Sequence, residues 1–249
     1  MPVTLKSARE IELMRAAGRI AAIVLDELKA IARPGITTAE LDKLACERIR
    51  ELGGRPAFLG YRGYPACLCT SVNEQVLHGI PGKRTLQDGD LLSLDVGVDY
   101  RGLYVDAAVS LVVGTGDSLA YRLVAAAEGA LGAGLEMAYP GRRLGDLGAA
   151  IEAYVRAQGF SVIVGYSGHG VGLALHEEPS VPNTGPAGRG IRLRTGMTLA
   201  VEPMLSAGSP ETVVAADGWT VSTRDGSLAA HYEHTIWISP EGPVILTAR

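Results

Sequence analysis

LLSLDVGVDYRGLYVDAAVSLVV, residues 91–113, consists of two apolar runs around Asp99-Tyr100-Arg101-Gly102, whose Asp and Gly favour a turn. The stretch reads as an antiparallel hairpin. With a tight turn centred between Tyr100 and Arg101, Asp95 faces Asp106 directly. Opposed residues bring their Cβ atoms to ~4.5–5.5 Å, where like charges repel. Two carboxylates inside apolar strands therefore call for a cation or a shared proton. Taken singly, either Asp reads as readily as a solvent-facing residue on an edge strand; as a facing pair they point to a metal site. Tyr-Arg is not a favoured two-residue hairpin loop, so the register is open to a slip.

Outward from this hairpin the chain resembles itself. RPGITTAELDKLACERIRELGG (33–54) matches YPGRRLGDLGAAIEAYVRAQGF (139–160) at an offset of 106, with Pro34/Pro140, Gly35/Gly141, Leu41/Leu147 and Gly53/Gly159 coincident. Each copy carries apolar residues at helical spacing and a glycine stop. GDLLSLDV (89–96) matches GMTLAVEP (196–203) at an offset of 107, so Asp95 falls on Glu202. Short helical segments also coincide through composition alone, but here helix, PG turn, helix and acid-bearing strand recur in one order. The pattern predicts an α+β chain of two similar halves, roughly 7–113 and 117–238, around an antiparallel-rich sheet. With no Gly-, Pro- or Ser-rich linker between them, the halves are expected to form one domain over 1–249.

Other elements follow locally. Ser7 and Glu10 form a capping box that opens an amphipathic helix, and a helix after Asp117-Ser118 runs toward Met137. Strands are expected at 91–98, 103–113, 161–166, 197–202 and 231–238, with an irregular loop over 179–196. Glu233 lies in HYEHTIWIS, where alternation puts His231, Glu233 and Thr235 on one face and His234 on the other. His169 lies in SGHGVG, between glycines that allow close backbone approach. Taken alone, each Glu reads first as a solvent-facing residue and each His as a satisfied structural one; the match to Asp95 alters this for Glu202.

Composition narrows the function classes. A hydrophobic content of 47%, a charged content of 20% and a net charge of −4 describe an ordinary globular chain with no nucleic-acid motif. No apolar run is long enough for a membrane span or a secretory leader. Cys46, Cys67 and Cys69 are too few and odd in number for a disulfide framework, which makes a reducing, cytoplasmic setting the default. His176 has Ser180 where a zincin helix needs its second His, and Gly79–Arg84 fails the phosphate-loop pattern.

NEQVLHGIPG, LDVGVDYRGLYVDAAVS, SGHGVGLALHEEP, GMTLAVEPM and HYEHTIWIS, in this order, resemble the successive motifs of type I methionine aminopeptidase over nearly the whole chain. The resemblance implies the pita-bread fold and a single catalytic domain. It implies two divalent ions held by Asp95, Asp106, His169, Glu202 and Glu233, with Asp106 and Glu233 bridging and Glu202 also the proton-transferring base. Four oxygen-donating residues and one imidazole suit Mn, Fe(II), Co or Zn. The counterparts of His78 and His176 contact substrate beside the scissile peptide. Tyr61, Tyr64, Cys69 and Trp219 match the family's methionine pocket. Phe58 and Leu175 depart from it, a large residue replacing a small Cys-like one at the first and a smaller one replacing Phe at the second.

The implied substrates are nascent polypeptide N-termini with a small second residue, a rule that the chain's own Met1-Pro2 satisfies. A monomer is expected, and ribosome association would suit such a substrate. An Xaa-Pro peptidase of the same fold usually carries an extra N-terminal domain, for which the capped helix at Ser7 leaves no room. A type II enzyme carries a helical insertion, for which the interval from His176 to Glu202 is too short. A non-catalytic peptide-binding relative would typically have lost ligands.

Overall fold

The structure is a computed structural model and describes residues 3–248; the Met1-Pro2 start lies outside them. The first half runs α1 (Ala8–Ile31), α2 (Thr38–Glu51), β1 (Arg55–Pro56), β2 (Cys69–Val72), β3 (Gln75–Leu77), β4 (Leu91–Tyr100) and β5 (Leu103–Val112). The second runs α3 (Ser118–Leu135), α4 (Leu144–Ala157), β6 (Ser161–Val162), β7 (Gly168–Gly170), β8 (Glu177–Val181), β9 (Thr198–Val201) and β10 (Met204–Ser206). It continues with β11 (Thr212–Val214), β12 (Val221–Thr223), β13 (Ala229–His231), β14 (Glu233–Ser239) and β15 (Gly242–Ile245). Among the described residues, a nine-stranded sheet has the order β1-β4-β5-β14-β9-β7-β8, with β2 on β4 and β15 on β14.

Capping chemistry sets the helix starts. Ser7 and Glu10 close a capping box on α1, and Thr37 and Glu40 close a second on α2. α2 and α4 lie 106 residues apart at both ends, preceded by Gly35 at φ 93° and Gly141 at φ 92°. β4 and β9 begin 107 residues apart. The architecture is the pita-bread fold.

Strand alternation gives the sheet two chemically distinct faces. Leu92, Leu94, Val96 and Val98 of β4 and Val105, Ala107 and Val109 of β5 join α1 and α2 in one core. Leu199 and Val201 of β9 and Ile236 and Ile238 of β14 join α3 and α4 in another. The opposite face carries Ser93, Asp95, Asp106, Ser110 and Glu233, polar yet buried.

The hairpin register differs from the expected one. Tyr100 pairs with Leu103, so Asp95 faces Ala108 and Asp106 faces Gly97. The turn is Arg101-Gly102, both at positive φ (55° and 84°), as a two-residue hairpin turn matching strand twist requires. Gly102 N–H donates to Asp99 Oδ1 at 2.8 Å, which steadies that turn. The shift is two residues, an even number, so both aspartates stay on one face as diagonal neighbours.

Three other expectations change. Of 161–166 only Ser161–Val162 is strand, Gly165 at φ 87° taking the chain out of extended geometry. The loop 179–196 begins inside β8, which reaches Val181. Free cysteines were expected, yet Cys46 and Cys67, with Cα atoms 5.5 Å apart, form a disulfide. The fold brings α2 against the entry to β2, where Asp42 Oδ1 accepts the N–H groups of Cys67 (2.8 Å) and Leu68 (3.0 Å).

Candidate metal centre and substrate pocket

Rows of residues across the sheet assemble the site. Cys69 on β2, Asp95 on β4, Ala108 on β5 and Glu233 on β14 occupy one row. His234 pairs with Val201, which sets Glu202, just past the end of β9, beside Glu233. Ala200 pairs with both Thr235 and His169, which brings the β7 imidazole over the same face. Thr235 Oγ1 fixes Asp106 by accepting its N–H at 2.9 Å and donating to its carbonyl at 2.8 Å.

His169 Nε2 lies 3.4 Å from Glu202 Oε1 and 3.9 Å from Asp106 Oδ2. Its Nδ1–H donates to Gly170 O at 2.9 Å, so the Nε2 lone pair faces the carboxylates, the tautomer a metal-ligating imidazole needs. Asp106, His169 and Glu233 each offer a ligand atom within 4.8 Å of the others. Asp95 Oδ1 and Glu233 Oε1 are buried without a hydrogen-bond partner.

The electrostatics agree with this geometry. Burial, then the neighbouring Asp106 and Glu202 charges, pushes the Asp95 carboxyl well above the usual range. Burial pushes Asp106 up to about 7. Glu202 and Glu233 are likewise raised well above the ordinary carboxylate range, by burial and then by Asp106. Four acids in one buried volume cannot all ionise without a compensating cation. Unpartnered oxygens, crowded acids and an inward lone pair together fit a divalent metal.

Aromatic residues wall the adjoining space. Tyr64 packs edge-on against Phe58 (6.4 Å between ring centroids) and Trp219 (5.1 Å), and His78 packs edge-on against Trp219 (6.0 Å). His176 is sandwiched between Tyr61 (5.2 Å) and His169 (4.0 Å). His78 holds a left-handed backbone at φ 58°, a costly conformation for a non-glycine residue and one that recurs at functional sites. Phe58, Leu175 and the free, buried Cys69 share a small apolar cluster with Tyr64.

Every site residue named from the sequence borders this one cavity. Two neighbours were missed. Arg62 also lines the cavity, its guanidinium 5.3 Å over the Tyr61 ring. His231 Nε2 lies 3.7 Å from Glu202 and 3.9 Å from Glu233. Its shared face with Glu233 was legible from alternation; its approach to Glu202 was not. His234 turns away as expected, bonding Thr247 Oγ1 at 2.9 Å.

A buried acid-rich metal centre opening into an apolar cavity is the equipment of a metal-dependent hydrolase of peptides. Residues 12–240 match the model of metallopeptidase family M24. A methionine aminopeptidase of Clostridium perfringens is 49% identical over 98% of both chains, and methionine aminopeptidase 1 of Bacillus subtilis is 47% identical over 97% of this chain and 98% of its own. The crystal structure of methionine aminopeptidase from Thermotoga maritima superposes with a TM-score of 0.98 at 46% identity, covering all of both chains. An Xaa-Pro dipeptidase from Bacillus anthracis shares the fold with a TM-score of 0.80 at 20% identity, but this chain covers only 62% of it. The chain belongs to metallopeptidase family M24, and within it to the methionine aminopeptidases.

Proposed function

We propose that this protein is a metalloaminopeptidase that removes the initiator methionine from nascent polypeptides whose second residue is small. The observation that carries the reading is the continuity of the acid cluster with the aromatic pocket in one cavity. Asp95, Asp106, His169, Glu202 and Glu233 are the residues that would hold two divalent ions. Bound there, the ions would supply an activated water and polarise the scissile carbonyl.

The side chains do the remaining work. Glu202 takes the proton of the attacking water and passes it to the departing amine. Burial lowers the imidazole pKa to about 4 at His78, and burial with His169 and Arg62 lowers it to about 3 at His176. Both rings are therefore neutral at pH 7 and act as N–H donors toward the oxygen that gains charge. Phe58, Tyr61, Tyr64, Cys69, Leu175 and Trp219 receive the methionine side chain; sulfur–aromatic contact favours a thioether there. We infer a single catalytic domain, a monomer, a cytoplasmic location and access to nascent chains at the ribosome, all of which accord with this substrate.

Hydrolysis of Met-Ala-Ser, Met-Lys-Ser and an Ala-Pro dipeptide, with and without chelator, tests the reading. Metal-dependent cleavage confined to Met-Ala-Ser is expected. Cleavage of Ala-Pro would make the protein an Xaa-Pro peptidase, and absence of metal-dependent turnover would make it a peptide-binding relative.

A further inference from the structure

His231 on β13 is 2% exposed, and neither of its ring nitrogens has a hydrogen-bond partner. An imidazole kept in that condition is a poor space-filler, because both polar atoms lose water and gain nothing. Its surroundings repeat those of Asp106. Thr235 Oγ1 spans the N–H and carbonyl of Asp106, and Ser110 Oγ spans the N–H (2.9 Å) and carbonyl (2.8 Å) of His231. Glu233 pairs with Ala108 midway between these two bridges. A half-turn about that pair exchanges Ser110 with Thr235 and Asp106 with His231. Thus His231 occupies, in the second half, the place that Asp106 holds in the first.

The side chain does not simply duplicate that acid. Asp106, His169 and Glu233 form the compact set of ligand atoms, and His231 is not among them. Its Nε2 instead approaches Glu202 Oε2 (3.7 Å) and Glu233 Oε2 (3.9 Å), while Glu202 Oε1 faces His169 Nε2 (3.4 Å). Glu202 therefore lies between two imidazoles, one facing each oxygen. We propose that His231 is a positioning residue for Glu202: its Nε2–H donates to Oε2 and sets the carboxylate plane with Oε1 directed to the metal site. The proposed hydrogen bond requires the 3.7 Å separation to shorten. This rests on the metallopeptidase reading above, and it assigns His231 a task that no ligand or pocket residue performs.

The test compares His231→Gln, His231→Asn and His231→Leu in the full-length protein. It reads Co(II) affinity of metal-stripped protein by calorimetry, and kcat and KM on Met-Ala-Ser. The Gln amide nitrogen reaches the position of Nε2, whereas that of Asn reaches only Nδ1. Leu and Asn are expected to weaken Co(II) binding by roughly 10–100-fold, the range for lost outer partners of metal ligands. kcat should fall with it while KM stays within about twofold, and Gln should restore both properties to within about threefold. Parental affinity and kcat in the Leu protein overturn the proposal, as does equal impairment by Gln and Asn. If circular dichroism shows the Leu protein unfolded, the Gln–Asn comparison decides alone. A parent that binds no Co(II) and cleaves nothing defeats the metallopeptidase reading itself; an active parent with indifferent variants defeats only the role of His231.

Discussion

At the scale of single residues, the site depends on groups whose environments oppose their ionisation. Glu202 is buried and its pKa raised, by burial first and the Asp106 charge second, so it is free to accept a proton only when a cation offsets that penalty. Glu202→Gln should lower kcat/KM on Met-Ala-Ser by roughly 10²–10⁴-fold, as loss of a general base does. The pocket makes a different demand. A Cβ at Gly97 would stand 2.6 Å from Cε1 of Phe58, so the glycine opposite Asp106 provides the space that the large Phe58 occupies. Phe58 and Leu175 lie in one cluster, where a large and a smaller side chain share a volume. Leu175→Phe should overfill it, raising KM for Met-Ala-Ser with little change in kcat; an unchanged KM in steady-state assays would contradict this. His176, with its pKa near 3, should show no charge change between pH 5.5 and 8 in NMR titrations.

At the scale of elements, a strap from the N-terminus holds the loop that presents Leu175 and His176. Lys6 Nζ meets Glu177 Oε2 at 2.5 Å with both side chains nearly inaccessible, and Thr4 joins the same oxygen. Glu177 Oε1 accepts the N–H groups of Leu173 and Ala174. Burial raises the Glu177 pKa, but the hydrogen bonds from Lys6, Thr4 and Ala174 and the Lys6 charge together outweigh it, and the net shift is downward from 4.5. A carboxylate depressed in the folded state contributes stability that is full above its unfolded pKa. That stability is lost as the pH falls through the folded value. Lys6→Ala leaves the carboxylate buried and uncompensated and should cost about 3–5 kcal/mol. Lys6→Met with Glu177→Gln should cost less, and its melting temperature should fall less steeply than the parent's below about pH 4.5. Denaturant melts at pH 7 measure the first effect, and thermal melts across pH 3.5–7 the second.

At the scale of the whole molecule, two similar halves meet along β5 and β14, and the acids they contribute stand across that seam. Without a cation, the unfolded chain ionises these acids near pH 4 while the folded site retains protons, up to about pH 7 at Asp106. Stability of the metal-free protein should therefore decline as pH rises through that window. Bound metal removes the penalty. At a concentration 100-fold above its Kd it should contribute about 2.7 kcal/mol, or roughly 5–10 °C of melting temperature. Calorimetric scans with and without chelator should show a larger difference at pH 8 than at pH 5.

What the sequence determined by itself was whatever local chemistry and period dictate. The capping box at Ser7, the paired helices at an offset of 106 and the faces of β4, β5 and β14 follow from side-chain spacing. Asp95 and Asp106 share one face under either turn, because a shift of two residues preserves strand parity. Family resemblance supplied His169 and Glu233, which spacing alone left ambiguous. Tertiary structure decided what depends on chain segments far apart. It paired Cys46 with Cys67, brought Lys6 to Glu177, and set His231 against Glu202. Those contacts have no period to read, since they arise where the two halves and the N-terminal strap close over the sheet.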